Sequence, residues 1–145
     1  MATAEYSAVL AASAEHVWKI LSRFGGIAEW HPAVIDSEIE NGQSDDTIGA
    51  VRRLDLADGG VIRERLLSLD DTRMSLSYKF EESPLPLDNY LANVKVIKAS
   101  GQPLCVVKWH AAFDVRDPEM TAHFEALITS LVVDGHNSLA FFLAK

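Results

Sequence analysis

The stretch 117–143, DPEMTAHFEALITSLVVDGHNSLAFFL, decides the fold because it carries the long helical pattern against which the rest of the chain must pack. Asp117 and Pro118 are a typical helix entry. The apolar residues that follow share one stripe at helical spacing: Phe124, Leu127, Ile128, Leu131 and Val132. Gly135 interrupts this stripe and indicates either a kink or a close contact between helix and sheet. We therefore predict one long C-terminal helix over residues 119–143.

The part of the chain before this helix reads as strands separated by short turn clusters. Their predicted ranges are 6–11, 34–40, 48–56, 61–69, 74–80, 90–98 and 104–115. After the first strand, Ser13 is the predicted N-cap of a short helix that Gly25-Gly26 ends. A second short helix over 27–30 stops before Pro32. Strands joined by short turns favour an antiparallel meander over parallel βαβ units.

This element order predicts an α+β fold in which a curved, seven-stranded antiparallel sheet surrounds the long C-terminal helix, with two short helices after the first strand. We expect residues 1–145 to form a single domain. A sheet of this size around one helix does not easily close its interior with side chains alone. We therefore expect an internal cavity for a small hydrophobic molecule.

The composition limits the possible partners. The chain has 145 residues, of which 48% are hydrophobic, and a formal net charge of -8 from 13 basic and 21 acidic residues. This balance disfavours nucleic acid and anionic membrane surfaces as partners. The N-terminus lacks a signal-peptide pattern and no apolar run approaches transmembrane length, so we expect a cytoplasmic protein without membrane insertion. The sequence does not indicate an oligomeric state.

The sequence also argues against metals and cofactors. Cys105 is the one cysteine and lies in an apolar run, which favours a buried structural thiol over a nucleophile. The histidines have no metal-ligand spacing. There is no G-x-S-x-G elbow, phosphate-binding loop or dinucleotide glycine motif. We therefore predict neither a metal nor a cofactor.

Four segments carry a resemblance to a known family. They are SAEHVW at 13–18 continuing to FGGIAEWHP at 24–32, GAVRRL at 49–54, IRERLLSLDD at 62–71, and the pair Asn89-Tyr90. In these segments the chain resembles polyketide cyclase/dehydrase-type proteins of the START-like superfamily, also called birch-pollen-allergen-like or SRPBCC. The resemblance covers the whole chain and implies the helix-grip fold. It is weak for any one activity because this fold carries many functions.

Two groups within the superfamily are similar in the residues of the predicted pocket. In plant abscisic acid receptors the matching segments line a hormone pocket, which implies pocket roles for Arg52, Glu64 and Tyr90. The receptors' gate sequence is absent here, so hormone reception is not expected. Lachrymatory factor synthase has a similar arginine and glutamate on neighbouring strands, which implies an enzymatic role for Arg52 and Glu64.

Alternation along the strand at 61–69 is the sequence argument for a polar group inside the cavity. It puts Ile62, Glu64, Leu66 and Ser68 on one face and Arg63, Arg65 and Leu67 on the other. If the first face is toward the helix, a carboxylate points into an apolar chamber. Burial raises the pKa of such a carboxyl and a nearby Arg52 lowers it, and a group balanced in this way can move protons. Glu64 and Arg52 are therefore the candidate catalytic residues. The alternative is a structural ion pair without chemistry.

The candidate ligand-binding residues are aromatic or apolar side chains expected on the cavity wall. They are Trp30, His31, Leu54, Ile62, Leu66, Tyr78, Tyr90, Trp109, Phe113, Phe124, Leu127 and Leu131. Each has an alternative as ordinary core. In particular, Trp109 and Phe113 alternate on one face, and the sequence does not separate pocket wall from core for them.

Three functions fit these observations. The first is a carrier or sensor for a small hydrophobic molecule. The second is a cofactor-free cyclase, dehydratase or isomerase in which Glu64 moves protons and Arg52 stabilises negative charge. The third is a protein-interaction module, which needs no charged pair inside a cavity.

Overall fold

The structure is a computed structural model that describes residues 1–144. It has seven strands and two α-helices, with a 3₁₀ helix at Phe24–Glu29 and 3₁₀ turns at Glu40–Gly42 and Pro118–Met120. The strands and helices are β1 Ala2–Leu10, α1 Ala14–Leu21, β2 Val34–Ile39, β3 Val51–Leu56, β4 Val61–Asp70, β5 Ser75–Glu82, β6 Leu87–Lys98, β7 Cys105–Val115 and α2 Thr121–Leu143.

The strands form one antiparallel sheet in the order β1-β7-β6-β5-β4-β3-β2. Helix α2 packs against β1 and β7 at one end of this order. This arrangement confirms the predicted α+β, helix-grip fold. It follows from the alternation of the strands, because each places an apolar face toward the helix and a polar face toward solvent.

Helix α1 begins where the sequence predicted and ends earlier. The Ser13 hydroxyl caps it by accepting a hydrogen bond from the His16 backbone N–H at 3.2 Å. The helix ends at Leu21, so the prediction that Gly25-Gly26 ends it is wrong. Both glycines lie inside the 3₁₀ helix, where a Cβ on Gly25 would be 2.9 Å from an Ile39 side-chain atom. The glycine therefore permits close packing.

Several strand boundaries differ from the prediction for local reasons. Strand β1 begins at Ala2, before the predicted residue 6, and Ala2 and Ala4 are buried. The prediction missed this start because such small residues carry a weak hydrophobic signal. Strand β3 begins at Val51, after residue 48, because Gly49 takes a positive φ of 91° in the preceding turn. Strand β6 begins at Leu87 and contains an irregularity that the sequence did not predict.

A bulge in β4 overturns part of the predicted alternation. Leu66 pairs with Tyr78, but the next two pairs are Ser68 with Ser77 and Leu69 with Leu76. The extra residue rotates Ser68 to the exposed side, where its hydroxyl contacts that of Ser77 at 2.5 Å. Ser68 therefore does not share the inner face with Glu64, whereas Leu69 packs against the core.

Helix α2 runs through Gly135 without a break. Of the two alternatives at this glycine, close contact is the one observed, but the contact is with a loop and not with the sheet. A Cβ at Gly135 would lie 2.9 Å from the Cδ2 atom of His31. The helix buries Phe124, Ile128 and Leu139 as well as Gly135.

The C-terminal helical segment is long and rich in apolar residues. Pro118–Leu143 is long and apolar enough to cross a membrane by length and composition. The expectation that no apolar run approaches transmembrane length is therefore wrong. A core helix of a globular domain meets the same criteria, but only 22% of the apolar window of this segment is buried. Helix α2 packs against β1 and β7.

Candidate functional site

A cavity of about 360 Å³ lies between the inner face of the sheet and α2. Its wall is mainly apolar and includes most of the residues that the sequence predicted. These are Trp30, His31, Leu54, Ile62, Tyr78, Tyr90, Trp109, Leu127 and Leu131, together with Arg52 and Glu64. This size and lining are typical of sites for small organic molecules.

The polar part of the wall is an ion pair between neighbouring strands. Arg52 on β3 and Glu64 on β4 are directly opposite each other in the antiparallel register. Both residues are 5% exposed. The Nε and Nη2 atoms of Arg52 each lie 2.8 Å from the same carboxylate oxygen, Oε1 of Glu64. The register therefore places a complete, buried ion pair on the cavity wall.

Phe24 holds the guanidinium in place and was not predicted from the sequence. Its backbone carbonyl accepts a hydrogen bond from Nη1 of Arg52 at 2.9 Å. Its ring centroid lies 4.0 Å from Cζ of Arg52, and the Tyr78 ring lies 4.7 Å away. Two aromatic rings, the ion pair with Glu64 and the hydrogen bond to the Phe24 carbonyl thus fix this cation. The sequence has no signal for this contact, because it depends on where the 3₁₀ helix docks.

The buried environment alters the acidity of the polar groups. Burial raises the pKa of Glu64, while the charge and hydrogen bonds of Arg52 oppose that shift. Burial, followed by the nearby Glu64, raises the pKa of Tyr78 to about 12. Burial raises the pKa of Tyr90 well above its ordinary value. Both phenols are therefore neutral hydrogen-bond donors near neutral pH.

Tyr90 is part of an aromatic stack. Its ring is stacked on that of Phe80 with 3.8 Å between centroids and 4° between planes. Phe80 also lines the cavity. It was not among the predicted residues, although the alternation of Leu76, Tyr78 and Phe80 along β5 places it on the same face as Tyr78 and could have identified it.

Two tryptophans form the aromatic wall of the cavity. The ring centroids of Trp30 and Trp109 are 6.1 Å apart. The indole N–H of Trp109 donates to Nδ1 of His136 at 3.0 Å, and Nε2 of His136 lies 3.4 Å from the Val9 carbonyl oxygen. Burial lowers the pKa of His136. His136 is therefore a neutral support for Trp109, a role that the sequence did not reveal.

His31 lines the cavity, but both its ring nitrogens are used by the backbone. Nδ1 accepts from the Ala33 N–H at 3.2 Å, so Nε2 carries the proton and donates to the Leu131 carbonyl at 3.2 Å. Burial lowers the pKa of His31. The residue ties the loop before β2 to α2 and lines the cavity.

The relationship of this chain to a known protein family extends over nearly all of the residues that form the fold around this cavity. The sequence pattern of the family described as polyketide cyclase / dehydrase and lipid transport matches residues 1–140. The chain belongs to this family. The description covers both enzymes and lipid carriers, so membership indicates hydrophobic-ligand binding or cyclase/dehydrase-type function. Among curated proteins, no sequence matches the chain.

Solved structures of similar proteins support the same fold. The protein XoxI from Bacillus cereus is 27% identical with a TM-score of 0.87, and the match covers 99% of this chain and 96% of that one. A protein from Thermobifida fusca is 33% identical with a TM-score of 0.85, covering 97% of this chain and 91% of that one. The di-domain aromatase/cyclase BexL is 16% identical with a TM-score of 0.83; the match covers 99% of this chain and 47% of BexL.

Three predicted ligand-binding residues lie away from the cavity wall of this family member. Leu66 is fully buried in the core cluster that includes Val17 and Phe24. Phe113 and Phe124 are buried in a second cluster with Ala2, Ala4, Ala111 and Ile128. They face inward as expected, but none of the three lines the cavity. In the structure these three residues are part of the hydrophobic core, which was the alternative to a place on the cavity wall.

The sequence also missed the loops that border the cavity. Ala57 and Asp58 come from the β3–β4 turn, and Pro84 and Leu85 from the β5–β6 loop. Further wall residues were missed because ordinary apolar residues give no signal that separates wall from core: Leu21, Ile27, Ala33, Val34, Leu56, Leu76, Val94, Ile128, Val132 and Gly135. Within residues 1–144, no group of His, Cys, Asp and Glu residues could hold a metal ion.

Proposed function

We propose that this family member is a cofactor-free enzyme that cyclises, dehydrates or isomerises a small hydrophobic carbonyl compound. The observation that carries the proposal is the buried Arg52–Glu64 pair on the wall of an otherwise apolar cavity. A buried ion pair is weak support for stability, since apolar residues of similar volume often serve as well. Its position beside a ligand-sized space favours a chemical role.

In this proposal Glu64 moves a proton and Arg52 stabilises negative charge. The ionised carboxylate removes a proton from the carbon next to the substrate carbonyl. The negative charge that develops on the carbonyl oxygen is stabilised by the guanidinium and the neutral phenols of Tyr78 and Tyr90. Glu64 then returns the proton, either to another carbon in an isomerisation or to a departing hydroxyl in a dehydration. Burial raises the pKa of Glu64, which makes its carboxylate a stronger base for the first step.

A non-catalytic carrier or sensor is the second candidate. Arg52 and Glu64 neutralise each other's charge without a ligand, and Nε and Nη2 of Arg52 both lie 2.8 Å from one carboxylate oxygen. The pair could therefore serve only to orient the polar end of a bound molecule. The rest of the wall would then hold the ligand through apolar contact.

Turnover by a matched pair of variants separates these candidates. Native mass spectrometry of the purified protein identifies a co-purifying compound, which is then assayed with wild type, E64Q and E81Q. Glu81 lies on the outer face, where it pairs with Arg65, so E81Q makes the same chemical change outside the cavity. We expect E64Q to bind the compound and to lose at least about 100-fold in turnover, with E81Q unaffected. Tight binding with no turnover by wild type would establish the carrier instead.

A further inference from the structure

Arg52 is the one cation on the cavity wall among the described residues, and only part of its hydrogen-bonding capacity is used. A guanidinium has five N–H groups. Nε donates to Oε1 of Glu64 and Nη1 donates to the Phe24 carbonyl, while Nη2 lies 2.8 Å from the same Oε1 in the ion pair. The Tyr78 hydroxyl is a further hydrogen-bond partner of the guanidinium, and Arg52 and Tyr78 both line the cavity. The wall therefore offers a planar cationic donor to an acceptor group of a ligand.

The charge of the empty site restricts which ligands can use this donor. Arg52 and ionised Glu64 together have no net charge. A ligand anion placed against Arg52 would leave one uncompensated negative charge in a mainly apolar cavity, which is strongly unfavourable. A neutral site is restored if one proton enters together with the anion.

Of the titratable groups that face this part of the cavity, only Glu64 is suited to take that proton. Tyr78 on β5 and Tyr90 on β6 are already neutral phenols. His31 uses both ring nitrogens, and a proton on Nδ1 would break its bond from the Ala33 N–H. Asp58 lies in the turn at the border of the cavity and accepts from the Gly60 N–H at 2.8 Å.

Building on the proposed function of this cavity, we propose that its ligands include hydrophobic monoanions such as carboxylates, and that each anion binds together with one proton taken up by Glu64. Arg52 then pairs with the ligand anion, and the protonated carboxyl of Glu64 becomes a donor in the same corner. The site before and after binding carries the same net charge.

The proton makes the affinity depend on pH in a defined direction. Between the pKa of Glu64 in the free protein and its higher pKa in the complex, affinity for an anion rises about tenfold for each unit by which the pH falls. Below the pKa in the free protein Glu64 is already protonated, and the dependence disappears. A neutral ligand of the same shape shows neither the proton uptake nor this slope.

Isothermal titration calorimetry with two matched probes tests the inference. The anion is 2-naphthalenesulfonate, which cannot itself take up a proton, and the neutral match is 2-naphthalenemethanol. Each is titrated into wild type at about pH 7 in two buffers with different heats of ionisation. We expect uptake of about one proton with the sulfonate and about none with the alcohol. E64Q is expected to bind the sulfonate at least as tightly, without proton uptake and without a pH slope.

The outcomes separate this inference from the proposed function. If the alcohol binds and the sulfonate does not, or if the sulfonate binds without proton uptake, the cavity is a ligand site but the proton-coupled anion site is refuted. If neither probe binds, ligand binding in this cavity is refuted together with it. If E64Q still takes up a proton, the assignment to Glu64 is wrong. The wild-type titration alone decides the inference if E64Q does not fold.

Discussion

The two faces of strand β4 carry similar ion pairs in different environments. Inward-facing Glu64 pairs with Arg52, and both are buried. Outward-facing Arg63 forms a two-bond contact with Glu40 at 2.7 and 2.8 Å, and Arg65 pairs with Glu81. The outer arginines lower the pKa of their carboxylates, whereas burial raises that of Glu64. Environment, and not the type of pair, therefore determines the direction in which the pKa of each carboxylate shifts.

The largest expected difference between the faces is in stability. R52M leaves Glu64 buried without its partner, and we expect a loss of about 3–5 kcal/mol in the free energy of unfolding. R65M removes the matching cation on the outer face, where Lys79 at 3.6 Å and water still stabilise the charge of Glu81, and we expect a much smaller loss. Urea unfolding of both variants measures the contrast. Equal losses would show that the inner pair contributes no more to stability than the outer pair.

Removing both inner charges tests whether the pair is needed for folding. We expect R52M/E64L to recover most of the stability that R52M loses, because apolar residues of similar volume often replace a buried ion pair without loss. Urea unfolding of the double variant measures its free energy of unfolding. A double variant as unstable as R52M would mean that the hydrogen bond from Arg52 to the Phe24 carbonyl, and not the charge pair, stabilises this region.

Two histidines extend the comparison to hydrogen bonds. His136 is buried and links Trp109 to the Val9 carbonyl, whereas His110 lies on the outer face 3.3 Å from Glu5. H136L leaves the indole N–H and that carbonyl without partners, and we expect a loss of about 1–3 kcal/mol. H136Q, which can accept and donate, should restore part of it. Thermal unfolding with H110L as the outer control measures the effect, and similar losses at both sites would contradict it.

The smallest expected effect is a dependence of folding stability on pH, and its sign differs between the two faces of β4. Because the folded-state pKa of Glu64 is raised above 4.5, its contribution to stability is complete below that pH and is lost as pH rises through the folded-state pKa. The pKa of Glu81 is lowered, so its contribution is present above 4.5 and is lost as pH falls. The slope is at most about 1.4 kcal/mol per pH unit for one group.

Melting temperatures of wild type, E64Q and E81Q, measured from acid to neutral pH, show the sign of the pH dependence on each face. We expect the stability of wild type relative to E64Q to decrease from acid toward neutral pH, and its stability relative to E81Q to increase. If both differences slope in the same direction, the raised pKa of Glu64 is refuted.

The sequence by itself determined the order of the elements, the antiparallel sheet and the shared strand face of Ile62, Glu64 and Leu66. These features depend on local periodicity, capping and turn residues, which a chain displays without its partners. Ser13 caps α1 as predicted, and Trp109 lies inside because alternation along β7 is regular. Alternation failed at Ser68, because the bulge that reverses it depends on the neighbouring strand.

Only the tertiary structure decided what the inner carboxylate can do. The register between β3 and β4 places Arg52 opposite Glu64, and the docking of the 3₁₀ helix brings the Phe24 carbonyl to the guanidinium. The extent of the cavity separates Tyr78 and Trp109, on its wall, from Phe113 in the core. These are relations between residues that are distant in sequence, and the burial that raises the pKa of Glu64 is the sum of all of them.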